Sequence, residues 1–135
     1  MAETRTMSER YAEIGAALIR EEPTLARLRD SEATVLYLSS DYARRSKGKE
    51  TLGECERVPA KWRWAVPCDF IVTVYEPNVQ GFSDEQLRAL VHHELMHVGV
   101  ELDKDGRETY FTRPHDIDEF QAIAKLYGLD WADRR

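Results

Sequence analysis

The five residues His93-Glu94-Leu95-Met96-His97 constrain this chain more than any other feature. They lie in a stretch of helical periodicity, and on a helix two side chains four residues apart stand one turn above each other on the same face. His93 and His97 can therefore offer imidazole nitrogens to one metal ion, with the Glu94 carboxylate beside them to take a proton from water. With Leu87 as origin and about 100° per residue, Leu87, Leu90, Val91, Leu95 and Val98 form one apolar stripe. His93 and His97 border that stripe and Glu94 falls inside it. A carboxylate in an apolar stripe is costly unless it is paired or hydrogen-bonded. A purely structural helix gains nothing from it, whereas a metal site beneath the helix uses it. His92 points roughly opposite the stripe and reads as an ordinary exposed histidine.

The 135 residues fit one domain, 1–135, with 1–6 and 131–135 expected to be loose ends. A hydrophobic content of 42% with 33% charged residues is ordinary for a soluble protein, and no apolar run is long enough to span a membrane. The polar N-terminus has no signal-peptide core, so cytoplasmic residence is expected. Cys55 and Cys68 lack metal-type spacing and read as two free thiols in a reducing compartment. A net charge of -6 argues against a surface that grips nucleic acid throughout.

Along the chain, Thr6-Met7-Ser8-Glu9 reads as a capping box, opening a helix through Tyr11, Ile14 and Leu18 that Glu21-Glu22-Pro23 stops. Leu25 and Leu28 carry a weaker helical signal. Thr34–Ser39 is short, apolar and β-rich, as a buried strand should be. Ala43–Lys49 is a basic, turn-like stretch whose Arg44, Arg45, Lys47 and Lys49 could contact phosphates, although charge runs in loops are ordinarily just solvated. From Glu54 to Trp64 the alternation of Trp62 and Trp64 with Lys61 and Arg63 suits a strand covered on one face, with Pro59 placing it at an edge or interrupting it. Phe70–Tyr75 is the strongest strand signal. Ser83 fits an N-cap with Gln86 three residues on, so the motif helix should begin near Asp84, and Gly99 fits its C-terminal cap. Val100–Leu102 and Thr109–Thr112 flank the turn-rich segment Asp103–Arg107 and suggest a short hairpin or a flexible loop. The last helix opens within Arg113–Phe120, shows Phe120, Ile123, Ala124 and Tyr127 on one face, and ends at Gly128.

The pieces Gly53-Glu54, Asp69-Phe70-Ile71-Val72, His93-Glu94-Leu95-Met96-His97-Val98 and His115-Asp116-Ile117-Asp118-Glu119-Phe120 with Tyr127-Gly128 resemble the putative phage metallopeptidase family, related to SprT-like zinc peptidases. The likeness spans about residues 34 to 130. It implies an α+β, zincin-like single domain: a small mixed sheet packed against the motif helix, with N- and C-terminal helices. It also implies that a later helix brings a third zinc ligand, and that a strand beside the motif helix, locally Phe70–Tyr75, pairs with an extended substrate.

Two functions from different classes follow. The first is a zinc-dependent metallopeptidase in which His93, His97 and His115 hold zinc and Glu94 is the general base toward a zinc-activated water, acting on a protein or peptide substrate. The alternative is a non-catalytic, zinc-stabilised module that recognises a protein or nucleic-acid partner through the basic loop or an exposed strand. Glu94 favours the enzyme, because a non-catalytic site has no chemical use for it. For the third ligand, His115, Asp116 and Glu119 lie 18 to 22 residues beyond His97. Asp116 and Glu119 would form the capping pair of a helix starting at Asp116, leaving His115 without a structural use. Glu119 is the rival, because glutamate fills that place in one large group of such peptidases. Tyr110 and Arg113 are candidates for stabilising the oxyanion.

Overall fold

Six consecutive residues with β-branched and aromatic side chains, Phe70–Tyr75, make a strand that can be buried on both edges, and in the computed structural model they do. The structure describes residues 2–115, 120–128 and 130–132. In chain order its elements are β1 (Arg5–Met7), α1 (Glu9–Glu21), α2 (Ala26–Arg29), β2 (Val35–Ser40), β3 (Arg45–Ser46), β4 (Lys49–Glu50), β5 (Gly53–Arg57), β6 (Phe70–Tyr75), α3 (Asp84–Leu95), β7 (Val98–Leu102), β8 (Glu108–Thr112) and α4 (Gln121–Tyr127). The main sheet runs β1-β2-β6-β5. It is mixed: β6 is parallel to β2, while β1 and β5 are antiparallel to their neighbours. β3–β4 and β7–β8 are separate hairpins. The fold is therefore α+β.

Alternation along β6 places Phe70, Val72 and Val74, all fully buried, in the core with Tyr11 and Leu18 of α1 and Leu87, Leu90 and Val91 of α3. The approach of α1 to the sheet depends on Gly15. A Cβ there would stand 2.2 Å from the Tyr37 hydroxyl oxygen, so the Tyr37 ring crosses the helix where it has no side chain. α3 begins as expected: the Ser83 hydroxyl accepts from the Gln86 amide (3.2 Å) and the Gln86 side chain accepts from the Ser83 amide (2.8 Å). Asp69, buried at the mouth of β6, accepts from the Thr34 amide and hydroxyl and pairs with Arg63. This anchors the connection between β5 and β6.

Several local expectations are corrected. The N-cap of α1 is Ser8, which accepts from the Tyr11 amide; Thr6 belongs to β1, paired with Ser39, so the chain is already in the sheet from Arg5 rather than loose through residue 6. The stretch from Glu54 to Trp64 is interrupted at Pro59, as that residue allowed, but the part carrying Trp62 and Trp64 is not a strand. β5 stops at Arg57, and Pro59 leads into a 3₁₀ turn over Ala60–Trp62, leaving Trp62 and Trp64 exposed. α3 stops at Leu95, so Gly99 is not its cap but part of β7. A Cβ on Gly99 would lie 2.5 Å from the Phe111 ring, which is the tertiary reason for glycine there. α4 starts at Gln121 with Phe120 as N-cap, later than expected, and Gly128 closes it at φ 83°. Asp116, Ile117, Asp118 and Glu119, with the capping pair expected of them, lie outside the described residues.

Candidate metal centre

α3 carries His93 in its last turn, and the chain leaves the helix through Met96 with the backbone still helical there (φ -66°, ψ -17°). His97 thus stays one turn above His93 although it lies beyond the helix end, and its amide donates to the Glu94 carbonyl at 3.0 Å. The chain then runs through the β7–β8 hairpin and returns, so that Arg113 pairs with His97: the Arg113 amide donates to the His97 carbonyl (2.6 Å). Two residues later His115 reaches the same point from the opposite side. Its Nε2 stands 3.0 Å from Nε2 of His93 and 3.0 Å from Nε2 of His97. One ligand atom from each of the three histidines lies within 4.8 Å of the others.

That convergence fits a metal ion. Nitrogens bound at about 2.0–2.1 Å to a shared tetrahedral ion stand about 3.3 Å apart, close to the observed spacing. One proton on His115 Nε2 cannot serve two neighbouring nitrogens at once, whereas a shared cation can. The Nδ1 of His97 lies 2.7 Å from the Arg113 carbonyl oxygen, so it is Nδ1 that carries the proton and donates, and Nε2 presents its lone pair to the cluster. Three imidazoles suit zinc or a similar late transition metal and do not suit magnesium or calcium, which require oxygen donors.

Glu94, 5% exposed, points from α3 towards β5. Gly53 lies beside its carboxylate: a Cβ at position 53 would make ordinary contact with Glu94 Oε2 at 3.5 Å, while the Thr73 carbonyl oxygen, 2.9 Å from that Cβ, is what crowds a larger residue there. Desolvation, and after it the charge of Glu94, pushes up the half-buried Cys55 thiol, so Cys55 is a protonated neighbour rather than a second nucleophile. Beneath the histidines sits Phe120, fully buried, with its ring centre 5.0–5.5 Å from all three imidazoles. The Arg113 guanidinium covers the Phe120 ring at 5.2 Å. In the sequence Phe120 stands in the His115–Phe120 piece and on a helical face, and neither gives it a place in the site. Its place at the floor of the site, like those of Gly53 and the Arg113 carbonyl, depends on contacts between distant segments.

The remaining candidates divide. Arg113 is beside the cluster. Tyr110 donates its hydroxyl to Glu108 (2.7 Å) and packs edge-on against Phe70, so its polar end is held elsewhere. His92 is fully buried, a correction to the exposed role expected of it. Its Nε2 lies 2.8 Å from the Thr24 hydroxyl and its Nδ1 3.0 Å from the Tyr127 hydroxyl, and desolvation holds its pKa down to about 4. The side of α3 opposite the stripe is thus covered, by the segment after α1 and by α4. Phe70–Tyr75, expected to pair with substrate, is an interior strand with both edges occupied. In the basic stretch, Arg44 is taken up by Glu54 (2.7 Å) and stacks on Tyr75. Among the described residues no helix is long and apolar enough to cross a membrane.

No curated protein and no solved structure matches the chain. The putative phage metallopeptidase family matches residues 4–134, nearly the whole length, and the chain therefore belongs to that family.

Proposed function

We propose that the protein is a zinc-dependent peptidase of zincin-like design, with His93, His97 and His115 as the metal ligands and Glu94 as the general base. The observation that carries this reading is the meeting of three imidazole nitrogens at the end of the helix that also presents Glu94. Bound zinc would polarise the scissile carbonyl and lower the pKa of water. Glu94 takes a proton from that water as its oxygen adds to the carbonyl carbon, and returns the proton to the departing amine as the C–N bond breaks. Its burial against Gly53 keeps the carboxylate in one orientation and limits competing solvent. Arg113, whose guanidinium lies over the Phe120 ring that packs against the histidines, is the candidate to stabilise the developing oxyanion.

The substrate is a protein or peptide, bound along β5 rather than β6. The Tyr75 amide donates to the Leu52 carbonyl and the Val58 amide to the Asp69 carbonyl, so alternation along the ladder turns Glu54 and Glu56 towards β6. Gly53, Cys55 and Arg57 consequently direct their N–H and C=O groups outwards, and among the described residues these make no hydrogen bond. That is the pattern an added peptide strand completes. Cytoplasmic residence agrees with Cys55 and Cys68 being free thiols.

The test is Glu94→Gln. The amide keeps the shape and loses the base, so metal content should stay at one equivalent while hydrolysis of a peptide cleaved by the parent falls on the order of a thousandfold. Equal turnover by variant and parent would remove Glu94 from the role.

A further inference from the structure

Residues 43–63 carry seven of the chain's 19 Lys and Arg but only three of its 25 Asp and Glu, a net +4 in a chain of net -6. This segment is β5 with the connections on either side of it. Before β5 stands the β3–β4 hairpin, whose two-residue tip is Lys47 and Gly48, both in the left-handed region (φ 53° and 78°), with exposed Lys49 following. After β5 comes the turn that presents Lys61, Trp62 and Trp64. Trp64 is 81% exposed and Trp62 49%, and the Lys61 ammonium lies 5.6 Å above the Trp62 ring. The turn is held rigid by the Trp62 amide on the Pro59 carbonyl, the Ala65 and Val66 amides on the Trp62 carbonyl, and the Arg63–Asp69 pair. Of the three acids, Glu54 is neutralised by Arg44, and Glu54 and Tyr75 share a hydrogen bond on the sheet face away from Gly53.

From this arrangement we infer that the β5 edge selects extended peptide segments with acidic residues flanking an apolar centre. The inference rests on the proposed binding of substrate along β5 and names its chemical class. Gly53 lies against Glu94, so the scissile bond would sit near that end of the strand. An added strand advances about 3.3 Å per residue, which places its side chains opposite Arg57 and the Lys61–Trp62 turn about four residues from the cleaved bond. On the other side the tip residues Lys49 and Lys47 precede Gly53 by four and six residues in the chain. Carboxylates at these positions meet ammonium and guanidinium groups that form no ion pair among the described residues, and an apolar or aromatic neighbour covers the exposed indoles. Alternating outward N–H and C=O groups match a polypeptide backbone; a polynucleotide has no complementary row of donors and acceptors. The edge therefore favours an acidic peptide over a nucleic acid of the same charge.

The experiment measures binding, not turnover, using the full-length, zinc-loaded Glu94→Gln protein. Fluorescently labelled ten-residue peptides with one apolar centre and Glu, Gln or Lys flanks are titrated by anisotropy, beside a labelled single-stranded oligonucleotide of equal charge to the Glu peptide. The Glu peptide should bind at least tenfold tighter than the Gln peptide at low salt, with the ratio shrinking as salt rises, and tighter than the oligonucleotide. Lys47→Glu with Lys49→Glu should remove preference for acid on one flank, and Lys61→Glu with Trp64→Ala on the other, with unchanged zinc content and melting temperature. Equal affinity for Glu and Gln peptides, no peptide binding, or tighter oligonucleotide binding would each overturn the inference. Because no bond is cleaved, a parent enzyme without peptidase activity would overturn the proposed function and leave this preference measurable. Cleavage without charge preference would do the reverse.

Discussion

Replacing His115 by alanine removes the one proposed ligand that does not ride on the motif helix or the turn that ends it. His93 and His97 would remain at helical spacing, but two imidazoles hold zinc far less tightly than three. The affinity of His115→Ala should fall on the order of a hundredfold or more, read by competition with a chromophoric chelator. If the variant keeps parental affinity, the third ligand is another residue, and the two-histidine, one-glutamate alternative with Glu119 becomes the better assignment. His92 predicts a different outcome although it is adjacent to His93 in sequence. Both its ring nitrogens are engaged by hydroxyls, and these hydrogen bonds to Thr24 and Tyr127 join α3 to the segment after α1 and to α4. Tyr127→Phe removes one partner of a buried polar ring and should cost about 1–3 kcal/mol in urea unfolding, with zinc stoichiometry unchanged. A change below a few tenths of a kcal/mol would show that this bond does not fasten α4.

The contact between α1 and the sheet sets two opposed effects against each other. On propensity alone, Gly15→Ala in the middle of a 13-residue helix should stabilise by about 1 kcal/mol. The new methyl, however, would lie 2.2–2.6 Å from three atoms of the buried Tyr37 ring, and that ring cannot move without disturbing the core. Overpacking should win, for a net loss of about 2 kcal/mol, and Tyr37→Leu in the same chain should recover part of it. A stabilised single variant would show that the ring yields. Elements of this kind divide what could be read in advance. Phe70–Tyr75, the Ser83 cap and the β7–β8 hairpin depend on neighbours within about six residues in sequence, so their signals are local. The histidine pair was legible because its chemistry constrains its spacing. Gly99 resembled a helix cap, but its reason is the Phe111 ring on another strand. Trp62 and Trp64 imitated strand alternation in a segment where Pro59 had already broken the ladder. His92 looked exposed because the periodicity of one helix cannot show that Thr24 and Tyr127 cover its far side.

At the scale of the whole molecule, the candidate metal centre is where the two halves of the chain are fastened. His93 and His97 end the helix that packs on α1 and the main sheet, while His115 follows the β7–β8 hairpin and leads into Phe120, which is buried beneath the cluster. Unfolding would separate these histidines, so the proposed zinc would bind the folded chain in preference, and free metal at about a thousand times its dissociation constant would contribute about 4 kcal/mol. For a domain of this size that corresponds to a melting-temperature change on the order of 10 °C. Removing zinc with a chelator should lower the melting temperature by that order, and restoring zinc, but not magnesium, should recover it. The loss should also be uneven. β2 and β6 are held by a six-pair ladder and by the core around Phe70, Val72 and Val74, so their amides should keep their exchange protection. α4 has only seven residues and no side-chain cap, so its place depends on Phe120, Ile123 and the Tyr127–His92 bond. With the His115 tether released, the amides of Gln121–Tyr127 should exchange markedly faster while those of β6 do not. Uniform loss of protection across both would mean that metal stabilises the domain as a single unit, and an unchanged melting temperature would mean that the three histidines do not hold a structural load at all.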